Sequence, residues 1–274
     1  MKSNHIKQVL FFTITPFCLL LYVFLGELSS LIYKLFSLNP LISLSQLALI
    51  NENLYFVFLK APLLHLGGFF FCFVIEALIV GWNSSSLKEI SCFSTASART
   101  DIFYVWMRIS GLTDTLFNII FFSFGFYFLS IIEDYSLMKL NNYFLEFILA
   151  LLSVTFFAYV YHRITHHKIF WELHKLHHSA NKMSIFTASR EHPLIVAVSN
   201  ILTAIPTALL GVRAEVLFVY FGFQGVYNMF LHSKVDPFPS WATFMITTND
   251  HYIHHSTNPK HYSKNYGMVL SIWD

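Results

Sequence analysis

The chain has 274 residues, 55% of them hydrophobic and only 12% charged, with a formal net charge of +2. A soluble domain carries roughly 25% charged residues to wet its surface, so this composition excludes soluble domains and predicts an all-α, polytopic membrane helical bundle. The small net charge, with no basic stripe between aromatics, excludes a nucleic-acid partner. Cys18, Cys72 and Cys92 are scattered without a CxxC pair, which excludes a disulfide framework or zinc ribbon; they read as small apolar residues in or near the bilayer.

Runs of about 17–25 apolar residues cross a hydrocarbon core about 30 Å thick. Six such runs occur: Val9–Leu25, Pro62–Trp82, Leu116–Ile132, Tyr143–Tyr161, Leu194–Leu210 and Ala214–Leu231. Lys2 and Lys7 precede the first, and Gly26-Glu27-Leu28 offers no small-residue cleavage pattern after it, so a retained signal anchor is expected. The mixed runs between Gly26 and Lys60 have room for a shorter interfacial helix. With the N-terminus inside, thirteen of the 17 lysines and arginines fall on cytoplasmic segments, leaving Lys34, Lys60, Lys139 and Arg213 outside. That asymmetry is the one basic residues show across membranes. The last two spans form a hairpin across Gly211-Val212-Arg213, which keeps every histidine-rich segment on the cytoplasmic face. The expected organisation is therefore residues 1–142 as N-terminal membrane spans and residues 143–274 as a histidine-box domain. That domain would combine spans with a cytoplasmic-side helical cap. The membrane would be the endoplasmic reticulum in a eukaryote or the inner membrane in a bacterium.

Fourteen histidines are present, twelve of them between His162 and His261. They form three clusters: His162-x3-His166 followed by His167, His174-x2-His177-His178, and His251-x2-His254-His255. Residues at i, i+3 and i+4 share a helical face, so each cluster is expected to aim two or three imidazoles at one place. The first begins where the fourth span ends, and its helix is expected to continue out of the membrane. Packing so many imidazoles without metal would leave buried nitrogens unsatisfied at about 1–3 kcal/mol each. A mononuclear site takes three or four protein ligands, so eight clustered histidines predict two ions. Imidazole suits iron, copper, zinc and nickel alike. No HExxH, GxSxG or Gly-rich phosphate loop offers a different chemistry.

These residues carry a family resemblance. Tyr159-Val160-Tyr161-His162-Arg163, His166, Trp171 and His174-Lys175-Leu176-His177-His178-Ser179 resemble the histidine-box region of the fatty acid hydroxylase / sterol desaturase superfamily. So do Arg190-Glu191-His192-Pro193-Leu194, His251-x2-His254-His255-Ser256, and the Asn265-Tyr266-Gly267 and Trp273-Asp274 motifs. The resemblance covers about Tyr143 to Asp274, half of the chain. It implies a non-haem di-iron oxygenase that uses O2 and two external electrons to hydroxylate or desaturate a C–H bond of a lipid such as a fatty acyl, alkylglycerol or sterol. The implied electron source is a cytochrome b5-type or ferredoxin-type chain, or tetrahydropterin as in the alkylglycerol branch. The implied metal ligands are His162, His166, His174, His177, His178, His251, His254 and His255, with His232 at the cytoplasmic end of the sixth span as a further one. Asn228 stands where some members have a histidine, as a weak ligand or a hydrogen-bond donor to one. Thr155 stands where members often have Asp and is expected to orient an imidazole by hydrogen bonding. Adjacent His166 and His167 compete for one role, and the i, i+4 spacing favours His166. The family usually continues beyond Trp-Asp, so a sequence ending at Asp274 is either truncated or docks its last segment differently.

Several residues keep two readings. His192, before Pro193, either approaches the metals or caps the start of the fifth span. His261 reads as a loop residue, and His5 and His65 as structural. Glu76 is an intramembrane ionisable group, which marks either function or a locally satisfied carboxyl. Pro206 should kink the fifth span. Arg163, Lys175, Lys182 and Arg190 form either a steering surface for anionic headgroups and an acidic donor, or a simple positive-inside surface. The rival to an oxygenase is a non-catalytic membrane metal-binding or electron-transfer protein. A carrier would place its ligands near the bilayer midplane, whereas these clusters sit at span ends.

Overall fold

The computed structural model describes residues 61–91, 95–109, 132, 135–235 and 243–274. The expected spans Val9–Leu25 and Leu116–Ile132 (apart from Ile132), the signal anchor, the interfacial helix and His5 lie outside the described residues. Among those described the fold is all-α, with one isolated β-bridge, between Met245 and Leu270. The helices are α1 (Ala61–Val80), α2 (Ser86–Ser91), α3 (Ala96–Ile109), α4 (Tyr143–Thr165), α5 (Trp171–His174), α6 (Pro193–Leu209), α7 (Ala214–Leu231) and α8 (Thr248–His254). Short 3₁₀ turns occupy Trp82–Ser84, His177–Ser179, Ile185–Ser189 and Pro259–His261.

Helix α4 is the organising element. Asn142 caps it, its side-chain oxygen accepting from the N–H groups of Phe144 and Leu145 at 3.0 and 3.1 Å. Its 23 residues span about 35 Å at 1.5 Å per residue. It is the one described helix long and apolar enough to cross a membrane; His65–Val80 and Pro193–Leu209 are shorter apolar helices. As expected, α4 runs past Tyr161, so its last turn carries His162 beyond the expected span. Ala150, Val154 and Ala158 are buried on it, and such small residues let a neighbouring backbone approach closely. Helix α6 takes that place, and α7 packs against α4 and α1.

Three apolar clusters hold the bundle. One joins Phe69, Cys72 and Phe73 of α1 to Val105 of α3, Ile185, and Met229 of α7. A second joins Ala150 and Val154 of α4 to Ala208, Val212, Leu217 and Tyr220 around the α6–α7 turn. A third, beneath the histidines, joins Tyr227, Leu231, Ile246 and Val269. The outward faces stay apolar: Phe70 is 72% exposed, Leu78 79% and Phe144 71%. Large apolar groups left outside in contiguous rows mark a surface meant for another apolar phase or partner.

Candidate metal centre

Nine imidazoles from four segments converge and sort into two groups. His162, His166, His174, His178 and His254 form one; His177, His232, His251 and His255 form the other. Within each group the ring nitrogens all lie within 4.8 Å of one another. The two groups adjoin: the rings of His178 and His255 stack with centroids 4.2 Å apart, and those of His174 and His177 are 5.5 Å apart.

Local structure explains how each segment delivers its rings. The last turn of α4 presents His162, and the capping residue His166 follows at i+4; His167 is turned outward and exposed. The second cluster does not lie along one helix face as expected. Helix α5 ends at His174, and a 3₁₀ turn carries His177 and His178. His232 caps the end of α7 and is fully buried. The third cluster rides on α8, which starts at a reciprocal cap: Thr247 Oγ1 accepts from the Asp250 N–H at 3.1 Å, and Asp250 accepts from the Thr247 N–H at 2.9 Å.

The expectation that each cluster serves one place is corrected. His177 and His178 belong to different groups, as do His254 and His255. Successive residues step about 100° around an α-helix and about 120° around a 3₁₀ turn, so an adjacent pair cannot aim both rings at one point. The doubled histidines therefore feed two neighbouring places.

The donor atoms fit transition-metal ions. Nε2 of His162 lies 3.2 Å from Nε2 of His174, which lies 3.2 Å from Nε2 of His178. In the other group His177, His232, His251 and His255 form a chain of Nε2 contacts at 3.3, 3.1 and 3.1 Å. Imidazole nitrogens about 2.0–2.1 Å from a common metal ion sit about 3 Å apart when adjacent, which is this spacing. Backbone carbonyls fix three of the tautomers. Nδ1–H of His162 donates to Tyr266 O at 2.8 Å, that of His232 to Asn228 O at 2.8 Å, and that of His254 to Lys264 O at 2.9 Å. Each leaves an Nε2 lone pair facing inward. Buried Nε2 of His166 and of His254 has no protein partner, at a cost a cation would remove.

Burial keeps these rings neutral. It pulls His232 and His254 down to about 4, His166 to about 3 and His174 to about 2, with neighbouring imidazoles adding to the effect at His232, His166 and His174. His177, His251 and His255 lie well below the ordinary histidine value for the same reason. Neutral imidazole is the metal-binding form.

A cavity of about 40 Å³ touches His162 and His174 of one group and His177 and His251 of the other. That is room for a few water-sized molecules, each needing roughly 10–15 Å³. Asn228, Tyr161, Glu191, Ile195 and Ser199 complete much of its wall. Glu191, Tyr161 and Ser199 were not singled out as site residues in the sequence; the signals were the positions of Tyr161 beside His162 and of Glu191 between Arg190 and His192, both inside motifs that carry the resemblance. Burial raises the Glu191 carboxyl, and Arg108 opposes that shift.

Several sequence expectations change here. Thr155 orients no imidazole among its hydrogen bonds: its hydroxyl donates to Leu151 O at 2.5 Å and accepts from the Trp273 indole N–H at 2.9 Å. The Tyr266 carbonyl orients His162 instead. His192 caps α6, its Nδ1 accepting from the Leu194 N–H at 3.2 Å, and joins neither group. Asn228 offers its backbone carbonyl to His232 and lines the cavity. Arg190 is no surface cation: it is 1% exposed and held by Asp101 and Ser97. Exposed Arg163 donates to the Tyr159 hydroxyl at 2.6 Å and lies over the Tyr266 ring, and exposed Lys175 pairs with Glu172.

The C-terminal motifs lock this frame. The Asp274 carboxylate accepts from the N–H groups of Tyr266 and Gly267 at 2.6 and 2.8 Å. Asn265 donates to Asp250 O at 2.9 Å. At Gly267 a Cβ would fall 2.6 Å from Leu270 O and 2.9 Å from Asp274 Oδ2, so the close approach that places the Tyr266 carbonyl requires glycine.

Residues 147–274 match the family described as fatty acid hydroxylase. Alkylglycerol monooxygenase of Homo sapiens is 33% identical over 127 residues, which are 46% of this chain and 28% of that protein. The protein of the same name from Danio rerio is 32% identical over 128 residues, and that from Caenorhabditis elegans 31% over 121 residues, 24% of its length. The chain thus spans about a quarter of the length of these relatives. No solved structure matches. The matched region begins inside α4 and contains all nine converging imidazoles, so the likeness to the fatty acid hydroxylase family falls on the part of the chain that carries the candidate centre.

Proposed function

We propose that this protein is an integral-membrane di-iron oxygenase that hydroxylates, or desaturates, a C–H bond of a lipid. The observation that carries the reading is a cavity bounded by imidazoles of both histidine groups. The ligands in this proposal are His162, His166, His174, His178 and His254 for one iron and His177, His232, His251 and His255 for the other. The bound irons, with O2 and two electrons from an external donor, would supply the oxidising power that cleaves the C–H bond. The chain's own residues do the rest. Backbone carbonyls of Tyr266, Asn228 and Lys264 hold three Nδ1 protons and so aim three Nε2 atoms. The small cavity admits a reacting carbon and little water, and the apolar faces of α1, α4 and α7 deliver a lipid to it. Likeness to the alkylglycerol monooxygenases makes an alkylglycerol the first substrate to test, with tetrahydropterin as its reductant beside cytochrome b5-type and ferredoxin-type chains. The same proposal holds six spans, residues 1–142 as the membrane-anchoring part, and the histidines on the cytoplasmic side.

The test is metal stoichiometry and Mössbauer spectroscopy on the protein purified in detergent under reducing conditions, followed by turnover of an alkylglycerol. About two coupled irons per chain are expected. His177→Ala should remove iron and turnover together, whereas His65→Ala should change neither. One zinc per chain, or a haem absorption band, would establish the non-catalytic rival instead.

A further inference from the structure

Two buried carboxylates outside the family match, one directly and one through an arginine, hold the chain just after a single converging histidine or a pair of them. Glu76, on α1, is fully buried. It accepts from the Ser86 N–H at 2.6 Å and the Ser86 hydroxyl at 2.8 Å, and its Oε1 also accepts from the Lys234 N–H at 2.7 Å. Lys234 lies two residues beyond His232. Asp101, on α3, is 1% exposed and receives Nε of Arg190 at 2.8 Å and the hydroxyl of Thr187 at 3.1 Å. The same guanidinium donates to the carbonyl of Ser97 at 2.6 Å and to the hydroxyl of Ser179 at 3.1 Å. Ser179 directly follows His177 and His178.

Neither carboxylate is among the ring-nitrogen groups, so neither is a ligand. Their geometry is nevertheless demanding. A buried charge is tolerated only with its hydrogen bonds complete, so Lys234 cannot shift without stranding Glu76, nor can Ser179 and Arg190 without weakening the hold on Asp101. Glu76 therefore holds a backbone N–H two residues from His232, and Asp101, through the Arg190 guanidinium, holds the side chain of the residue after His178. We propose that Glu76 and Asp101 are positioning residues through which α1 and α3 hold the His232 and His177–His178 segments in metal-binding register. This gives residues 61–109 a defined task at the centre, and it rests on the reading that the histidine groups bind metal.

The experiment uses the full chain in detergent, loaded with Co(II), whose absorption spectrum reports the ligand field. Glu76→Gln, Asp101→Asn and Glu146→Gln are compared by Co(II) release into excess chelator and by thermal unfolding. Glu146 is the control, since it is equally buried but holds Arg213 at the opposite end of α4 from His162. E76Q and D101N should release Co(II) about 10–100-fold faster, the range typical when a group that supports a ligand is lost, and should shift the spectrum. E146Q should unfold at lower temperature yet release Co(II) at the wild-type rate. If E76Q or D101N does not fold, Ser86→Ala and Ser179→Ala remove one hydrogen bond each, keep both charges, and should still speed release several-fold. Wild-type release in the E76Q and D101N proteins, or equal acceleration by E146Q, would overturn the inference. A wild-type chain that takes up no Co(II) and no iron would instead defeat the metal-site reading itself.

Discussion

His177 and His178 share a peptide bond yet serve different groups, and the same division separates His254 from His255. The cause is angular: side chains diverge by about 100° per residue on an α-helix and about 120° on a 3₁₀ turn, so only one ring of an adjacent pair can reach a given point. The rings differ from solvent-exposed histidines in a second respect, their neutrality. His232 and His254 are pulled down to about 4 by burial, although each gives its Nδ1 proton to a backbone carbonyl that opposes the shift. In the unfolded chain both return to about 6.5. Below that value the unfolded chain takes up protons that the folded chain refuses, so the stabilisation present at neutral pH is lost as the pH falls from about 6.5 toward about 4. In the metal-free protein the thermal midpoint should therefore drop across that window, and His232→Gln should flatten the slope. A midpoint independent of pH would contradict the neutral-imidazole description.

Among the elements, the α6–α7 turn shows how little sequence a hairpin needs when its geometry is strict. Gly211 adopts φ +102, and a Cβ there would fall 2.1 Å from the Met138 carbonyl oxygen. One residue on, Val212 is buried in the cluster that joins α4, α6 and α7, and Arg213 clamps Glu146 with Nε 2.9 Å from Oε2. Gly211→Ala should cost about 2–5 kcal/mol, combining the left-handed backbone penalty with the steric clash, and is read as a lower melting temperature in detergent. At this scale the sequence was informative about helices: the span expected at Ala214–Leu231 is the observed α7, and Leu194–Leu210 differs from α6 by one residue at each end. It was silent on the 3₁₀ turn at His177–Ser179, because a spacing of three or four residues fits an α-helix and a turn of another pitch equally well.

For the whole molecule, the convergence of four distant segments is what makes a candidate metal centre out of separate motifs. A cytoplasmic position for it follows in our proposal from the distribution of lysine and arginine. It is tested by introducing single cysteines at exposed Lys139 and at exposed Asn258 in a cysteine-free background, in oriented membrane vesicles. A membrane-impermeant thiol reagent should reach the cysteine at 258 only from the cytoplasmic side and the one at 139 only from the opposite side. Labelling of both from one side would remove the hairpin topology from the proposal, whatever the chemistry of the histidines.

The helical class and the candidate metal ligands of the second half were legible from the residues alone, because hydropathy runs and histidine spacing are local properties that survive without a fold. His162 and His166 could be paired by eye for that reason, four residues apart on one helix. The folded chain alone reveals which imidazoles share a place, that the Tyr266 carbonyl rather than Thr155 orients His162, and that Arg190 is buried against Asp101 instead of facing water. Those outcomes depend on backbone carbonyls and on residues 80 or more positions apart, such as Asp101 and Arg190. Such contacts arise only when the chain closes on itself, and no spacing along it encodes them.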